Sequence, residues 1–296
     1  MTFQVEDSIS ETVSVPLPSA RSLAAPSLAL VRSRGEIDLA FQEHDGRTTI
    51  RTAFQSGCLR LRVPRTLPGD APCATIMNTG GGIAGGDRLD QSIAWGENSI
   101  ASVTTQAAEK VYRTPGDAAR ITSRLTVSRG ARAEWLPQET ILFDRAALDR
   151  DMQLRLHGDA EFLGLEAVVL GRKAMDETVR SGMLRDRWRI WRDGRLIYAD
   201  ALKLDGAIAE RMGRAALGAG ARAFAVLIHI SARAAALLGG LREALTAAGG
   251  LAAASAWNGL LVARFLAPDG ATLRRDMLAA LAALREGRAM PRVWMC

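Results

Sequence analysis

The sequence predicts a mainly β protein with a helical minority, and three observations support this class. From about Leu28 to Leu204, apolar and polar residues alternate in short stretches bounded by Gly, Pro or Asp, which is typical of half-buried strands. The last third of the chain changes to segments with helical spacing. Hydrophobic residues make up 48% of the 296 residues and charged residues 24%, so we expect a packed core without a disulfide or metal staple.

Three stretches show the strand alternation most clearly. In residues 121–127 the apolar side chains of Ile121, Leu125 and Val127 share one face, and polar side chains share the other. Residues 131–135 and 152–156 alternate in the same way. Each stretch therefore predicts a strand with one buried face.

A hairpin is predicted at Asp193-Gly194. This dipeptide separates residues 187–192 from residues 195–198, and Asp-Gly favours the positive backbone angles of a tight two-residue turn.

The C-terminal third combines strands and helices. Gly249-Gly250 and Pro268-Asp269-Gly270 are turn signals, and Thr272 is a candidate N-cap for the helix that follows it. The predicted elements are a strand at 223–230, a helix at 234–248, a strand at 260–266 and a helix at 273–286.

We expect three regions along the chain. Residues 1–26 are rich in Ser, Thr and Pro and predict a flexible tail. Residues 27–210 form a β-rich scaffold, and residues 211–296 form a smaller α/β region packed on it or continuous with it. No repeat of fixed period is visible.

Composition favours a cytoplasmic protein. The three cysteines have unrelated spacings that predict neither a disulfide framework nor a metal knuckle. The first ten residues lack the pattern of a secretory signal, and no apolar run is long enough to span a membrane. The net charge is +6, but the basic residues are spread along the chain, so a salt-bridged surface is favoured over nucleic-acid binding.

The glycine-rich segment from Thr79 to Leu89 is the most prominent local feature. Gly80, Gly82 and Gly85 match GxGxxG, but a dinucleotide site requires a helix directly afterwards. Residues 89–95 instead alternate like a strand, which excludes that interpretation. Two alternatives remain: a tight turn without function, or a close backbone crossing that presents Asp87 and Arg88.

Acidic residues follow apolar strands at three further places. Glu139 and Asp144 follow a Trp-Leu-Pro-Gln segment, in which the proline indicates a strand edge or bulge. Glu166 lies in an apolar stretch, where a buried carboxylate requires a partner such as Arg172 or access to water. The alternatives are an internal ion pair or a polar, water-filled passage lined by Asp87, Glu139, Glu166 and Glu177.

Several catalytic and metal-binding patterns are missing from the sequence. It contains no GxxxxGK[ST] loop, no GxSxG elbow and no HxH or HExxH spacing. His44, His157 and His229 are isolated, and we interpret each as structural.

Four segments, in order and at family-like spacing, resemble the urease accessory family UreD, also called UreH. They are Gly81 to Leu89, Thr104 to Arg113, Trp135 to Glu139 with Phe143, and Phe162 to Gly164 continuing through Gly171-Arg172. The chain departs from the family pattern at Met77-Asn78-Thr79, where a His-Pro-Pro type lead is common, and at Asp176, where glycine is usual.

The resemblance implies a β-helix-like stack of strands with about two α-helices in the C-terminal third. It implies a non-catalytic chaperone for urease metallocentre assembly that binds apo-urease and the accessory protein UreF, with the GTPase UreG joined through UreF. It also implies nickel insertion through a tunnel, with no tightly bound cofactor and only transient Ni²⁺. Carboxylates suit a conduit because it must release its ion.

The site residues follow from these arguments. Weak transit sites for nickel are expected at Asp87, Glu139, Glu166 and Glu177. The motif residues expected to build the site are Gly81, Gly82, Gly85, Gly86, Arg88, Lys110, Tyr112, Arg113, Trp135, Pro137, Gln138, Gly171 and Arg172. The alternative function is a carbohydrate-active enzyme with paired carboxylates. Nucleic acid and membranes are not expected partners.

Overall fold

The computed structural model describes residues 32–64 and 71–295, and the predicted tail at residues 1–26 lies outside them. Strands account for 52% of the structure, which confirms the mainly β class. The strands are β1 (Arg34–His44), β2 (Arg47–Gly57), β3 (Leu59–Arg62), β4 (Cys73–Asn78), β5 (Arg88–Trp95), β6 (Ile100–Thr105), β7 (Glu109–Val111), β8 (Ala119–Val127), β9 (Arg132–Leu136), β10 (Thr140–Leu142), β11 (Ala147–Leu156), β12 (Glu161–Leu170), β13 (Gly182–Arg192), β14 (Arg195–Gly206), β15 (Ala223–Ile230), β16 (Leu251–Trp257) and β17 (Leu260–Ala267). The helices among the described residues are α1 (Ile208–Gly213), α2 (Ala234–Leu245) and α3 (Gly270–Arg285).

The chain winds between two sheets as a solenoid of about four turns. One sheet has the strand order β14-β13-β11-β8-β5-β1-β2, and the other has the order β16-β17-β15-β12-β9-β6-β4-β3. Along the solenoid, β1, β5, β8, β11 and β13 pair in parallel, as do β4, β6, β9 and β12. The β-helix-like stack implied by the resemblance is confirmed.

Matching apolar residues stack between the sheets. Leu39, Ile93, Leu125, Leu154 and Ile190 occupy the same register position on five parallel strands. All five are at most 2% exposed, because the period-two alternation turns them toward the second sheet. Full burial of each such side chain contributes about 1.5–3 kcal/mol to folding. This row forms part of the main core.

A third, short face closes the turns of the solenoid. Ile83 forms a parallel bridge with Val111, Val111 pairs with Leu142 across β7 and β10, and Leu142 pairs with Leu170 across β10 and β12. All four side chains are buried. The four segments that carry the family resemblance each contribute to this face or directly adjoin it, so they lie beside one another on successive turns.

The C-terminal third extends the second sheet. β15 pairs antiparallel with β12, and β17 and β16 follow in order. Helices α2 and α3 cover this part of the sheet with Leu241, Leu273, Met277 and Leu281, which pack in a second apolar core with Leu227.

The predicted C-terminal strands and helices are confirmed, with shifted ends. Helix α2 ends at Leu245, whereas the sequence predicted an end at Ala248. Helix α3 begins at Gly270, and its N-cap is Asp269, whose side chain accepts a hydrogen bond from the Thr272 amide. The prediction of Thr272 as N-cap was therefore wrong by one turn. The short helix α1 and strand β16 were not predicted.

The other local predictions are confirmed as well. Asp193 and Gly194 have φ values of 48° and 81°, and they connect β13 to β14 as a tight hairpin. The glycine-rich segment leads into strand β5 and not into a helix, so the exclusion of a dinucleotide loop stands.

Candidate functional site

The glycine-rich segment packs tightly against the next turn of the solenoid. A Cβ atom on Gly85 would lie 2.0 Å from Thr114 Oγ1 and 2.4 Å from the Asp117 carbonyl oxygen. Gly82 has a φ of 143° and faces the Tyr112 ring, whose hydroxyl donates to the Gly81 carbonyl at 2.8 Å. Glycine is required here because the backbones approach too closely for a side chain.

Asp87 fixes the end of the glycine-rich segment. It is 5% exposed, and its carboxylate accepts hydrogen bonds from the Ser33 amide at 2.8 Å and the Ala84 amide at 2.7 Å. No arginine or lysine lies within ion-pair distance of it among the described residues. Gly86 has a φ of 85°, and Arg88, the first residue of β5, is exposed on the outer surface.

Glu109 is a site carboxylate that the sequence analysis missed. Its two oxygens accept hydrogen bonds from the Asn78 side-chain amide at 3.1 and 3.2 Å. Burial raises the pKa of Glu109 to about 7, partly offset by the Asn78 hydrogen bond, and nearby Asp87 raises it further. The sequence contained one signal for this carboxylate. The chain departs from the family pattern at Asn78, and Asn78 supplies the hydrogen-bond donor to Glu109.

Lys110 and Arg113 flank this part of the third face. Both side chains are exposed, Lys110 in β7 and Arg113 at an isolated bridge with Ala146.

Glu139 and Gln138 connect the third face to helix α3. Pro137 directly follows β9, so it lies between strands and not within one. The Arg274 guanidinium donates to Glu139 Oε1 at 3.0 Å and to Gln138 Oε1 at 2.6 Å. The same guanidinium donates to the Trp294 carbonyl at 2.9 Å. Glu139 is therefore held in an internal ion pair.

Glu166 lies in the interior between the sheets, where its partner is Arg150. The Arg150 guanidinium binds Glu166 on β12 and also Asp186 on β13, with an Nε to Oδ1 distance of 3.1 Å. Trp135 Nε1 donates to Glu166 Oε1 at 3.0 Å. Burial raises the pKa of Glu166, and the charge of Arg150 opposes that effect. The prediction that Arg172 could pair with Glu166 was wrong, because Arg172 lies on the third face and pairs with Glu177.

Arg172 pairs instead with Glu177. Its Nε donates to Glu177 Oε2 at 2.8 Å, and its guanidinium lies 4.2 Å from the centroid of the Phe143 ring. Gly171 has a φ of 77°, and a Cβ there would lie 2.4 Å from the Glu177 carbonyl oxygen. Glu177 also accepts a hydrogen bond from the Asp144 amide at 3.3 Å.

The four predicted transit carboxylates do not form one metal site. Glu139, Glu166 and Glu177 are each bonded to an arginine, and Asp87 is bonded to backbone amides. Within residues 32–64 and 71–295, no group of three or more His, Cys, Asp or Glu side chains has the geometry to hold a metal ion. The polar passage stays a prediction.

Two surface-connected cavities lie away from these carboxylates. One, of about 100 Å³, is lined among others by Glu134, Glu161, His229 and Ser231, and the other is lined by Trp191 and its neighbours. His229 is 7% exposed, and its Nε2 lies 3.0 Å from Ser231 Oγ. None of the four transit candidates lines either cavity. None of the helices in the described part of the chain is long and apolar enough to cross a membrane.

Comparison with known proteins identifies the family. The family model described as UreD urease accessory protein matches residues 33–295. The chain is 46% identical over 263 residues to the urease accessory protein UreD of Rhizobium leguminosarum bv. viciae, covering 89% of this chain and 95% of the relative. It is 46% identical over 285 residues to urease accessory protein UreD 3 of Methylorubrum extorquens (strain PA1), covering 94% and 95%. It is 41% identical to the UreD protein of Agrobacterium fabrum, covering 89% and 91%. The chain belongs to the UreD family of urease accessory proteins.

Proposed function

We propose that this chain is a non-catalytic, cytoplasmic chaperone that binds apo-urease and UreF, with UreG joined through UreF, and assists nickel insertion. The observation that carries the proposal is the family match over residues 33–295, together with the stacking of the four family segments at one face of the solenoid. A rigid stack of strands suits a scaffold because it holds surfaces at fixed separation.

Nickel transit is the finer part of the proposal, with Ni²⁺ as cargo. Asp87 and Glu109 support it best, because amide groups bind their carboxylates and no arginine or lysine of the described residues forms an ion pair with either. Oxygen ligands hold nickel more weakly than imidazole or thiolate, which favours release. At Glu139, Glu166 and Glu177 an entering ion would have to displace an arginine.

The experiment is urease activation in cells that express the urease subunits and the other accessory proteins with each variant. We expect Asp87→Asn and Glu109→Gln to lower urease activity and urease nickel content, while the variants still co-purify with apo-urease. Glu139→Gln, Glu166→Gln and Glu177→Gln test the remaining transit sites. The matched control is Glu210→Gln, an exposed carboxylate of α1 that pairs with Arg214.

Two results distinguish the proposed scaffold role from the proposed nickel transit. If all five variants activate urease as well as Glu210→Gln does, the transit sites are wrong and the scaffold remains. If the native chain fails to co-purify with apo-urease and UreF, the scaffold itself is wrong.

A further inference from the structure

The outer face of the seven-stranded sheet carries a row of arginines. Arg34 on β1 lies opposite Arg88 on β5, which lies opposite Arg120 on β8. The row continues through Asp149 on β11 to Arg185 on β13. Because the strands are parallel and in register, equivalent side chains stack about 4.8 Å apart across the sheet. Three arginine positions therefore stand side by side over about 10 Å.

This arrangement costs stability in the isolated protein. Arg34, Arg88 and Arg120 are all exposed, and like charges directly opposite one another on neighbouring strands destabilise a sheet. No carboxylate of the described residues lies within ion-pair distance of these three, whereas Arg185 in the same row pairs with Asp149 at 3.5 Å. Within residues 32–64 and 71–295, the three arginines thus form a positive row without ion-pair partners.

The adjacent row on the same face is mainly acidic on the first four strands. Two residues further along the first four strands, the equivalent positions hold Glu36, Asp90, Thr122 and Asp151, about 7 Å from the arginines. A membrane surface or a nucleic-acid duplex is uniformly anionic and wide, so it would meet these carboxylates together with the arginines. The striped pattern favours a narrow anionic ligand.

We propose that Arg34, Arg88 and Arg120 form a docking row for an acidic helix of a partner protein, lying across the strands. Glutamates at positions i, i+4 and i+7 of a helix are about 5–6 Å apart, which matches the spacing of the strands. Alternate residues of an extended strand are about 6.7 Å apart, so their carboxylates would not align with arginines about 4.8 Å apart. Arginine binds carboxylates through paired N–H donors, which adds directionality. The row adjoins Asp87, whose carbonyl oxygen accepts a hydrogen bond from the Arg120 amide at 2.8 Å. The inference does not depend on nickel transit.

The test uses the full chain and a labelled, alanine-rich helical peptide with glutamates at i, i+4 and i+7. The control peptide has glutamine at those three positions. Fluorescence anisotropy at low and high salt gives the affinities. We expect the glutamate peptide to bind and to weaken with salt, and the double variant Arg88→Gln/Arg120→Gln to weaken it about tenfold.

The matched control variant is Arg124→Gln. Arg124 lies on the same face and the same strand as Arg120, but it already pairs with Asp90 at 3.5 Å. We expect it to change the peptide affinity by less than about twofold. Thermal unfolding of the double variant should show an unchanged or raised midpoint, because like-charge repulsion is removed. An unchanged or raised midpoint shows that weaker peptide binding by the double variant is not caused by unfolding.

Three outcomes would overturn the proposal. The first is equal binding of the glutamate and glutamine peptides, and the second is full binding by the double variant. The third is tighter binding of a 20-base-pair DNA duplex or of phosphatidylserine vesicles than of the peptide, with the same dependence on Arg88 and Arg120, which would assign the row to that ligand instead.

Discussion

The Asn78 side-chain amide donates to both carboxylate oxygens of Glu109, across two successive turns of the solenoid. Its own oxygen accepts a hydrogen bond from the Gly80 amide at 2.9 Å, so the same side chain also shapes the glycine-rich segment. A half-buried carboxylate is thereby held in place by a neutral donor. Burial raises the pKa of Glu109 to about 7, and the Asn78 hydrogen bond offsets part of that rise.

Glu109→Gln should stabilise the fold at alkaline pH. Burial raises the pKa of Glu109 to about 7 from 4.5, so the folded state binds this proton more tightly than the unfolded state. The stability contributed by the protonated group is present below about pH 4.5 and is lost as the pH rises through about 7. We expect the variant to exceed the native chain by about 1–3 kcal/mol at pH 8, and by little at pH 4.5.

Urea unfolding at the two pH values measures this difference. Glu210→Gln removes an exposed carboxylate and should leave the free energy of unfolding within about 0.5 kcal/mol of the native value at both. A Glu109→Gln variant that is less stable than the native chain at pH 8 would show that Asn78 compensates the buried charge in full.

Arg150 should be the most costly charged residue to remove from the sheet interior. Its guanidinium binds Glu166 and Asp186 and is 4% exposed. Arg150→Met would leave two buried carboxylates without their cation, so we expect a loss of about 3–5 kcal/mol in the free energy of unfolding. Arg124→Met, at an exposed ion pair, should cost less than about 1 kcal/mol. Chemical denaturation of both variants checks the contrast.

A second variant tests whether uncompensated charge, and not lost packing, causes the instability of Arg150→Met. Arg150→Met combined with Glu166→Gln and Asp186→Asn removes the uncompensated charges, so it should recover part of the loss. If the single and triple variants are equally unstable, the loss arises from packing and not from charge.

The strand pattern predicted the class of fold but not its register. Leu39, Ile93, Leu125 and Leu154 occupy equivalent positions on successive parallel strands, yet their spacings along the chain differ because the connecting loops differ in length. A fixed period was therefore absent from the sequence. The hairpin at Asp193-Gly194 was predictable because its signal is local.

The site was predictable in part for the same reason. Asp87 and Glu177 were found because they follow glycines in recognisable segments. The partner of Glu109, Asn78, and the partner of Glu166, Arg150, come from other turns of the solenoid. One signal for Arg150 was present: the alternation that places Met152 inward also places Arg150 inward. A basic residue on an apolar face indicates a buried carboxylate opposite it.

Gly85→Ala should destabilise the glycine-rich segment. Its Cβ would lie 2.4 Å from the Asp117 backbone oxygen, and backbone cannot move aside as a flexible side chain can. We expect a loss of about 1–3 kcal/mol and reduced urease activation in the cell assay. Gly116→Ala is the control, because the added methyl group meets no atom within 4 Å. Equal stability of the two variants would contradict the close packing of this segment against the next turn.

Asp269 should stabilise helix α3 in a pH-dependent way. Its carboxylate accepts hydrogen bonds from Lys173 Nζ at 2.7 Å and from the Thr272 amide at 2.8 Å. These donors, Lys173 first, lower the pKa of Asp269 from 3.8 to about 2. The stabilisation is therefore present above about pH 3.8 and is lost as the pH falls through about 2.

Two substitutions separate the cap of α3 from the charge of Asp269. Asp269→Ala should cost about 1 kcal/mol at pH 7, whereas Asp269→Asn keeps an acceptor for the Thr272 amide and should cost less. Urea unfolding between pH 2 and 7 gives the free energy of unfolding of Asp269→Asn and of the native chain. The difference between them should shrink toward pH 2, because protonated Asp269 is neutral, as Asn is. A difference that stays constant over this range would mean that the Lys173 pair, whose lysine is 73% exposed, adds nothing beyond the cap.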